Sequence, residues 1–149
     1  TTFPATAFAA GGWTGNFSCQ ISTPDLSDQP RFTLSYNRRG EVGSEFKSTV
    51  QLRLFRIPDL SSDTETTFAE TSVAVPGFAN WTGLKAVGRK EKSGYSVLIP
   101  LPDIGDVVGP IEGGRTLTIS VQGKAGPQNF EFELKGSAKA IAAFRVCAT

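Results

Sequence analysis

The 149-residue sequence contains no histidine. Histidine is the usual general base near neutral pH and the commonest protein ligand for transition metals. Its absence excludes a Ser-His-Asp triad, a Cys-His pair and a zinc site with histidine ligands. The two Gly-Gly pairs, Gly11-Gly12 and Gly113-Gly114, lack the strand-to-helix setting of a phosphate-binding loop. We therefore expect a protein that is not an enzyme, with no catalytic residues, no metal and no cofactor.

Methionine is also absent, even at position 1. The simplest explanation is that a signal peptide has been removed from a longer precursor, so we expect an exported protein. Residues 1–12 carry no charge and are too few to span a bilayer. We therefore expect an extended N-terminal arm over residues 1–12, no membrane span, and a single domain over residues 13–149.

Charge is scarce and balanced. Lysine and arginine number 15, aspartate and glutamate 14, and the charged fraction is 19%, below the usual value of roughly 25%. A nucleic-acid binder or a polybasic membrane anchor needs a concentrated positive field, which this balance argues against. The short basic clusters before Gly40 and Gly94 predict polar hairpin tips.

The chain has two cysteines, Cys19 and Cys147, one near each end. In a cytosolic protein they would be separate buried thiols, but an exported chain favours a disulfide between them. Such a bridge would restrict the unfolded chain strongly, by about 4–5 kcal/mol in the chain-entropy model. We therefore predict a Cys19–Cys147 disulfide and an extracellular or periplasmic location.

Apolar and polar residues alternate with a period of two along most of the chain. Strands that bury one face and expose the other are typical of antiparallel sheets. Residues 115–121 and 128–135 should form a hairpin across a loop rich in glycine and proline. We predict an all-β fold, an antiparallel β-sandwich of jelly-roll type. The predicted strands lie near residues 17–21, 32–36, 46–57, 95–101, 115–121 and 128–135, with weaker ones at 68–75 and 81–87.

The period changes to three and four residues at Ala140, Ile141, Phe144 and Cys147. Ser137 is a suitable N-cap, and the alanines favour a helix. The sequence therefore predicts a short C-terminal helix that packs on the sheet and carries Cys147 back towards Cys19.

Three loops share a pattern of proline, aspartate, an aliphatic residue and a further aspartate, beginning at Pro24, Pro58 and Pro102. Proline and aspartate favour turns, so these segments predict loops or half-turns of helix. Calcium binding is the less favoured alternative, because none has the ligand spacing of an EF-hand.

Two residues predict a contact with a partner or a glycan. Trp81 follows a polar loop, where it either lies exposed as a binding surface or packs over the rim of the core. Asn80 begins the glycosylation pattern Asn80-Trp81-Thr82, and Asn16 begins a second one. Trp13 precedes Cys19 and is expected to pack in the core.

The last third resembles a known family. The segment Ile111-Glu112-Gly113-Gly114-Arg115-Thr116-Leu117-Thr118-Ile119 and the strand, glycine and alanine-rich helix from Phe130 to Ala140 are similar to those of bacterial periplasmic proteins of the invasion-associated locus B type. The resemblance lies mainly in residues 111–147, and the opening Trp13 and Cys19 is similar too. It implies an exported β-sandwich with a role in the envelope or in host interaction, and it implies no site.

The function that these patterns favour is a non-enzymatic binding or assembly module of the cell envelope, with a protein partner or self-assembly rather than a small molecule. The first alternative is a structural subunit of a pilus, filament or capsid decoration, because an uncharged extended arm can add a strand to a neighbouring sheet. The second is a carbohydrate-binding module that uses Trp81.

Overall fold

The computed structural model describes residues 7–10, 13–16, 19–24, 29–37, 49–61, 63–92, 94–101, 104–124 and 126–148. In chain order the elements within these ranges are β1 (Ala7–Ala10), β2 (Trp13–Asn16), β3 (Gln20–Ser22), β4 (Arg31–Asn37), β5 (Thr49–Ile57), β6 (Glu65–Val75), β7 (Ala79–Glu91), β8 (Gly94–Leu101), α1 (Ile104–Gly113), β9 (Thr116–Gly123), β10 (Gly126–Glu133) and α2 (Ala138–Ala148).

The strands follow the predicted alternation of apolar and polar residues. In β5, Val50, Leu52 and Leu54 are fully buried, while Gln51 and Arg53 between them are half-buried on the other face. The predicted strand at 46–57 is confirmed from Thr49 onward, and residues 46–48 lie outside the described part of the chain. The same two-sided pattern recurs in β9, where the residues that face the core are fully buried. Apolar alternation therefore decides which side of each strand is dry.

The two strands with the weakest sequence signals are the longest in the fold. β6 has 11 residues and β7 has 13, and they pair with each other along most of their length. The predicted hairpin of the last two strands is confirmed as β9 and β10, which pair from Gly123↔Gly126 to Thr116↔Glu133. Its strands extend further into the glycine-rich loop than the sequence predicts.

All the strands described belong to one antiparallel sheet, in the order β1-β2-β3-β4-β5-β8-β7-β6-β9-β10. Five strands separate β4 from β10 in this order. At roughly 4.8 Å per strand, a flat sheet would place β4 and β10 nearly 30 Å apart. Nevertheless the ring of Phe32 in β4 meets the ring of Phe132 in β10 edge to face, with 4.9 Å between the ring centres. The sheet must therefore curl back on itself into a half-barrel.

The curl explains why the predicted fold class is confirmed only in part. The fold is mostly β and antiparallel, and the strands that the structure describes form one curled sheet, so the predicted sandwich of jelly-roll type is not confirmed. In a single curled sheet, strands from one part of the sheet cover the core side chains of another part. Its strands therefore show the same alternation that two packed sheets would require. Side chains from β3 to β9 and both helices form one buried cluster, and Phe130 and Phe132 of β10 pack against it.

A helix replaces one of the three predicted proline-aspartate loops. Residues 104–113 form α1, in which Val107, Val108 and Ile111 are buried at helical spacing. The sequence suggested at most half a turn of helix here, because Gly109 and Pro110 are both poor helix formers. Burial of one apolar face outweighs this unfavourable propensity.

The predicted C-terminal helix is confirmed as α2. The carbonyl of Ser137 accepts the first helical hydrogen bond, from the backbone N–H of Ile141 at 2.9 Å. Ala140, Ile141 and Phe144 are fully buried, and α2 packs against β1, β2, β3 and α1.

Neither helix in the described part of the chain has the length and apolar character needed to cross a membrane. Residues 7–10, which fall in the predicted arm, form β1 and pair with β2.

The close contact between Gly88 and Tyr95 gives a test of this packing. A Cβ atom at Gly88 would lie 2.2 Å from the Tyr95 hydroxyl oxygen and 2.5 Å from Phe68, and Tyr95 is almost wholly buried. Gly88→Ala should therefore lower the free energy of unfolding by about 1–3 kcal/mol, the usual cost of overpacking a core. The matched control is Gly123→Ala, whose nearest neighbours would lie at 3.4 Å or beyond. Equal stability of both variants in urea unfolding would contradict this packing.

Candidate functional site

An irregularity at the end of β5 creates the most distinctive local geometry on the outer face of the sheet. The pairing of β5 with β8 shifts register between Phe55 and Ile57, so Arg56 is an extra residue in the strand. Its φ angle is +59°, a left-handed conformation that is uncommon for residues other than glycine. This is a β-bulge, a feature that redirects side chains near functional sites.

The bulge changes which face of the sheet the residues after Phe55 lie on. Leu54 faces the core, so strict alternation would also turn Arg56 inward and Ile57 outward. The extra residue reverses this, because Ile57 is 6% exposed while Arg56 is exposed. The core thus keeps an isoleucine, and a charged side chain enters the outer face.

Two arginines flank an aromatic ring beside the bulge. The guanidinium carbon of Arg53 lies 5.0 Å from the ring centre of Phe55, and that of Arg31 lies 5.5 Å from the same centre. Both distances suit a cation–π interaction. Because β4 and β5 pair Arg31 with Phe55 in register, the sheet itself brings one of these arginines to the ring.

A carboxylate at the tip of the next hairpin fixes the other end of Arg53. Arg53 Nη2 donates a hydrogen bond to Glu91 Oε2 at 2.8 Å, and the hydroxyl of Ser96 donates to Glu91 Oε1. The hydrogen bond from Ser96 chiefly lowers the pKa of the Glu91 carboxyl below its ordinary value; burial opposes this, and Arg53 adds to it. Glu91 is therefore ionised at neutral pH. A carboxylate held in this way is a poor proton donor or acceptor near pH 7.

These side chains surround a cavity of about 220 Å³, which we call the bulge site. Burial raises the pKa of the Tyr95 phenol, so Tyr95 stays neutral and adds no charge. The charged residues that line the cavity are Arg53, Arg56 and Glu91. Guanidinium groups present forked donors that match oxyanions. Its lining residues are Arg53, Phe55, Arg56, Glu91, Gly94, Tyr95 and Ser96.

A larger cleft of about 550 Å³ lies between the β5–β6 loop and the β9–β10 turn. The backbone N–H of Lys124 donates to the carbonyl of Leu60 at 3.0 Å across it. Asp59, which lines the cleft, lies 3.8 Å from the ammonium of Lys90, and both side chains are well exposed. Such exposed ion pairs contribute little to stability, so Asp59 and Lys90 are held less firmly than the charged side chains of the bulge site.

The structure does not bring the residues predicted for partner or glycan contact into the bulge site. Trp81 lies in β7, half-buried against the core, and Asn80 beside it is exposed. Ten residues of extended strand separate Trp81 from Glu91, which corresponds to about 33 Å. Much of the indole is committed to packing, as in the rim alternative of the sequence analysis.

The predicted disulfide falls partly outside the described residues, because the side chain of Cys147 is among those not described. Cys19 is 6% exposed. The helix that contains Cys147 packs against β2 and β3, the two strands on either side of Cys19. The fold thus brings the two segments together, and the bridge itself stays a prediction.

The acidic loops are described only in part. Asp25, Asp28 and Asp103 lie outside the described residues. Among the residues that the structure does describe, no three histidine, cysteine, aspartate or glutamate side chains are grouped closely enough to hold a metal ion.

The sequence analysis did not single out any residue of the bulge site as functional. One signal was present in β5, where Arg56 occupies a position that alternation assigns to the core and apolar Ile57 follows it. A charge at an inward position next to an apolar residue at an outward one indicates a bulge. No comparable signal in the sequence indicated that Glu91 would bind Arg53 and Ser96.

The low pKa of Glu91 predicts a pH-dependent contribution to stability. Because its carboxyl has a lower pKa in the folded protein than in the unfolded chain, the contribution is present above about pH 4.5 and is lost as pH falls through the folded pKa. Glu91→Gln should lower the free energy of unfolding at pH 7 by about 0.2–1 kcal/mol, the range for exposed ion pairs.

Urea unfolding at pH 7 and pH 3 measures this difference, which should shrink at the lower pH. Glu131→Gln, a substitution on the exposed side of β10, is the matched control and should change stability little at either pH. A difference between wild type and Glu91→Gln that is the same at both pH values would contradict the assigned interaction.

No protein-family model and no curated protein matches the chain. Among solved structures, the chain is similar to invasion associated protein B from Bartonella henselae, with a TM-score of 0.62 and 17% sequence identity. The match covers 94% of this chain and 96% of that one. At this identity the comparison shows a shared fold. The similarity in structure extends over nearly the whole chain, well beyond residues 111–147 on which the sequence resemblance depends.

Proposed function

We propose that this chain is an exported, non-catalytic binding module of the bacterial cell envelope that holds a protein partner on the outer face of its sheet. The observation that carries the proposal is the ordered bulge site. Arg53 is fixed there between the ring of Phe55 and the carboxylate of Glu91, although its side chain remains 43% exposed. An exposed side chain that is already ordered loses little freedom on binding.

The composition of this face supports a protein partner. Arginine and aromatic residues are enriched where protein interfaces gain most of their energy. Leu98, which pairs with Arg53 in register, is 40% exposed and provides an apolar contact beside the charges. Val87 pairs with Leu98 from the other side. The bulge site is thus one edge of a mixed apolar and charged surface on four adjacent strands.

The proposed compartment and family rest on different observations. The shared fold with invasion associated protein B supports membership in the invasion-associated locus B type, and hence export to the envelope. A disulfide between Cys19 and Cys147 belongs to the same proposal, because such bonds persist in the periplasm and outside the cell. The described part of the chain contains no free cysteine, which supports the bridge.

The intact mass of the protein from its natural source tests export and the bridge together. Without reduction, the mass should be lower than that of the reduced chain by two hydrogen atoms, and reduction should restore them. Two thiols that react with an alkylating reagent in the unreduced, unfolded protein would contradict the bridge and the compartment inferred from it.

A photo-reactive phenylalanine at Leu98 tests the proposed binding surface in cells of the source organism. We expect irradiation to give a discrete cross-linked product of higher mass, because Leu98 lies in the middle of the surface. The matched control is the same residue at Lys139, exposed on α2, which should give no discrete product. Identical products from both positions, or none from Leu98, would contradict the proposal.

The second candidate function is a structural subunit, and the position of β1 favours it. β1 lies at one end of the sheet and has a paired neighbour on one side within the described residues. Its sequence, Ala-Phe-Ala-Ala, has neither charge nor proline, whereas the strand at the other end, β10, contains Pro127 and two glutamates. Charges and proline protect an edge from pairing, so β1 is the less protected edge. In the cross-linking experiment, a photo-reactive residue at Phe8 that yields a product of twice the monomer mass would favour this candidate over the first.

A further inference from the structure

The ion pair of Arg53 with Glu91 brings opposite charges together in the bulge site. The two side chains line the cavity and lie 2.8 Å apart, so this chain itself supplies the oxyanion that the guanidinium of Arg53 prefers. Arg56 also lines the cavity and is engaged in an interaction of its own. A charged group from a partner would be attracted by one member of the pair and repelled by the other. The pair is therefore better suited to a neutral group.

Arg53 presents a surface that suits an aromatic ring. A guanidinium is planar and stacks on aromatic faces, and the ring centre of Phe55 already lies 5.0 Å from the guanidinium carbon of Arg53. Phe55 and Glu91 hold the side chain in place, although it stays 43% exposed. Leu98, its neighbour in register, is 40% exposed. A ring from a partner would cover Arg53 and Leu98 together, at little cost in the freedom of Arg53.

Glu91 adds a hydrogen-bond acceptor beside this surface. Its two carboxylate oxygens have about four acceptor positions, and two of these receive hydrogen bonds from Arg53 and Ser96. The side chain of Glu91 is 36% exposed, so a donor from outside can reach it. Tyrosine and tryptophan combine an apolar ring with one O–H or N–H donor, whereas phenylalanine has no donor.

The size of the cavity limits the group to one side chain. Its volume of about 220 Å³ is below the roughly 300–1,000 Å³ of sites that enclose a drug-sized ligand. A Cβ atom at Gly94, which lines the cavity, would meet no other atom within 4 Å, so there is space on that side. Tyrosine and tryptophan are enriched where one side chain fills a pocket of a protein interface.

We infer that the bulge site receives the ring of a tyrosine or tryptophan from the protein partner, which packs on Arg53 and Leu98 and donates a hydrogen bond to Glu91. The inference rests on the proposed function, because that function supplies the protein that carries the ring. It names the side chain of the partner that should contribute most to binding on this face.

NMR titration with N-acetyltyrosinamide tests the inference without the partner. An aromatic ring shifts the resonances of protons that lie against its face, so we expect saturable upfield shifts of the Arg53 side-chain protons and the Leu98 methyl protons, with an affinity in the millimolar range. N-acetylphenylalaninamide lacks the donor and should bind about three- to tenfold more weakly, since a hydrogen bond to a charged acceptor is lost. N-acetylleucinamide has no ring and should cause no saturable upfield shift.

Two substitutions test the two contacts separately. Glu91→Gln should reduce the preference for the tyrosine probe over the phenylalanine probe to below about twofold, because a neutral amide oxygen replaces the charged acceptor. Arg53→Lys keeps the charge but loses the planar surface, so it should weaken the binding of both probes about two- to fivefold. The matched control is Arg145→Gln, which removes an exposed arginine that pairs with Glu112 and does not line the cavity. It should leave both affinities as they are in wild type.

Each contrary result overturns the inference in a different way, and the comparison of probes in wild type decides should a variant fail to fold. Equal affinities of the tyrosine and phenylalanine probes would remove the hydrogen bond to Glu91. Equal affinity of the leucine probe would reduce the site to a general apolar surface. Absence of binding by all probes would remove the site, while a cross-link from Leu98 would still support the proposed function. Binding of the tyrosine probe without any cross-link would support the aromatic site and contradict the protein partner, so the two failures are distinguishable.

Discussion

The fold depends on the curl that brings β4 and β10 of one sheet together around a shared core. The contact between Phe32 and Phe132 joins strands that are separated by five others in the sheet. Curling gives the sheet a dry inner face and leaves its outer face open, because no second sheet in the described part of the chain covers it. Charged and aromatic residues can therefore collect on the outer face without entering the core. The position of the bulge site follows from this division.

Along each strand, alternate residues lie on the inner and outer faces of the sheet. A break in this two-residue period therefore changes which residues lie on each face. At the end of β5 the bulge keeps Ile57 in the core and sends Arg56 out. Burial of an isoleucine side chain contributes about 1.5–3 kcal/mol, which matches or exceeds the roughly 1–2 kcal/mol that a left-handed backbone costs a residue with a Cβ atom. The core alone thus accounts for a bulge at this position.

Much of the fold could be predicted from the sequence because alternation reports directly which residues are buried. It identified β4, β5, β9 and β10, and the change of period identified α2. Alternation does not report what a buried face packs against, so the curl could not be distinguished from two stacked sheets. α1 was missed because Gly109 and Pro110 oppose a helix that tertiary burial stabilises. The bulge site was missed for a related reason, since Arg53 and Glu91 are far apart in sequence and meet only through strand pairing.

The backbone conformation at position 56 does not itself require an arginine. A glycine there would adopt the same backbone without strain and would keep Ile57 in the core. The nearby ion pair of Arg53 with Glu91 adds little, because exposed pairs contribute about 0–1 kcal/mol. Strain retained at an exposed charged residue is characteristic of sites maintained for binding. The shared fold, at 17% identity, requires only the buried alternation, so a binding role must be argued from exposed residues such as Arg56.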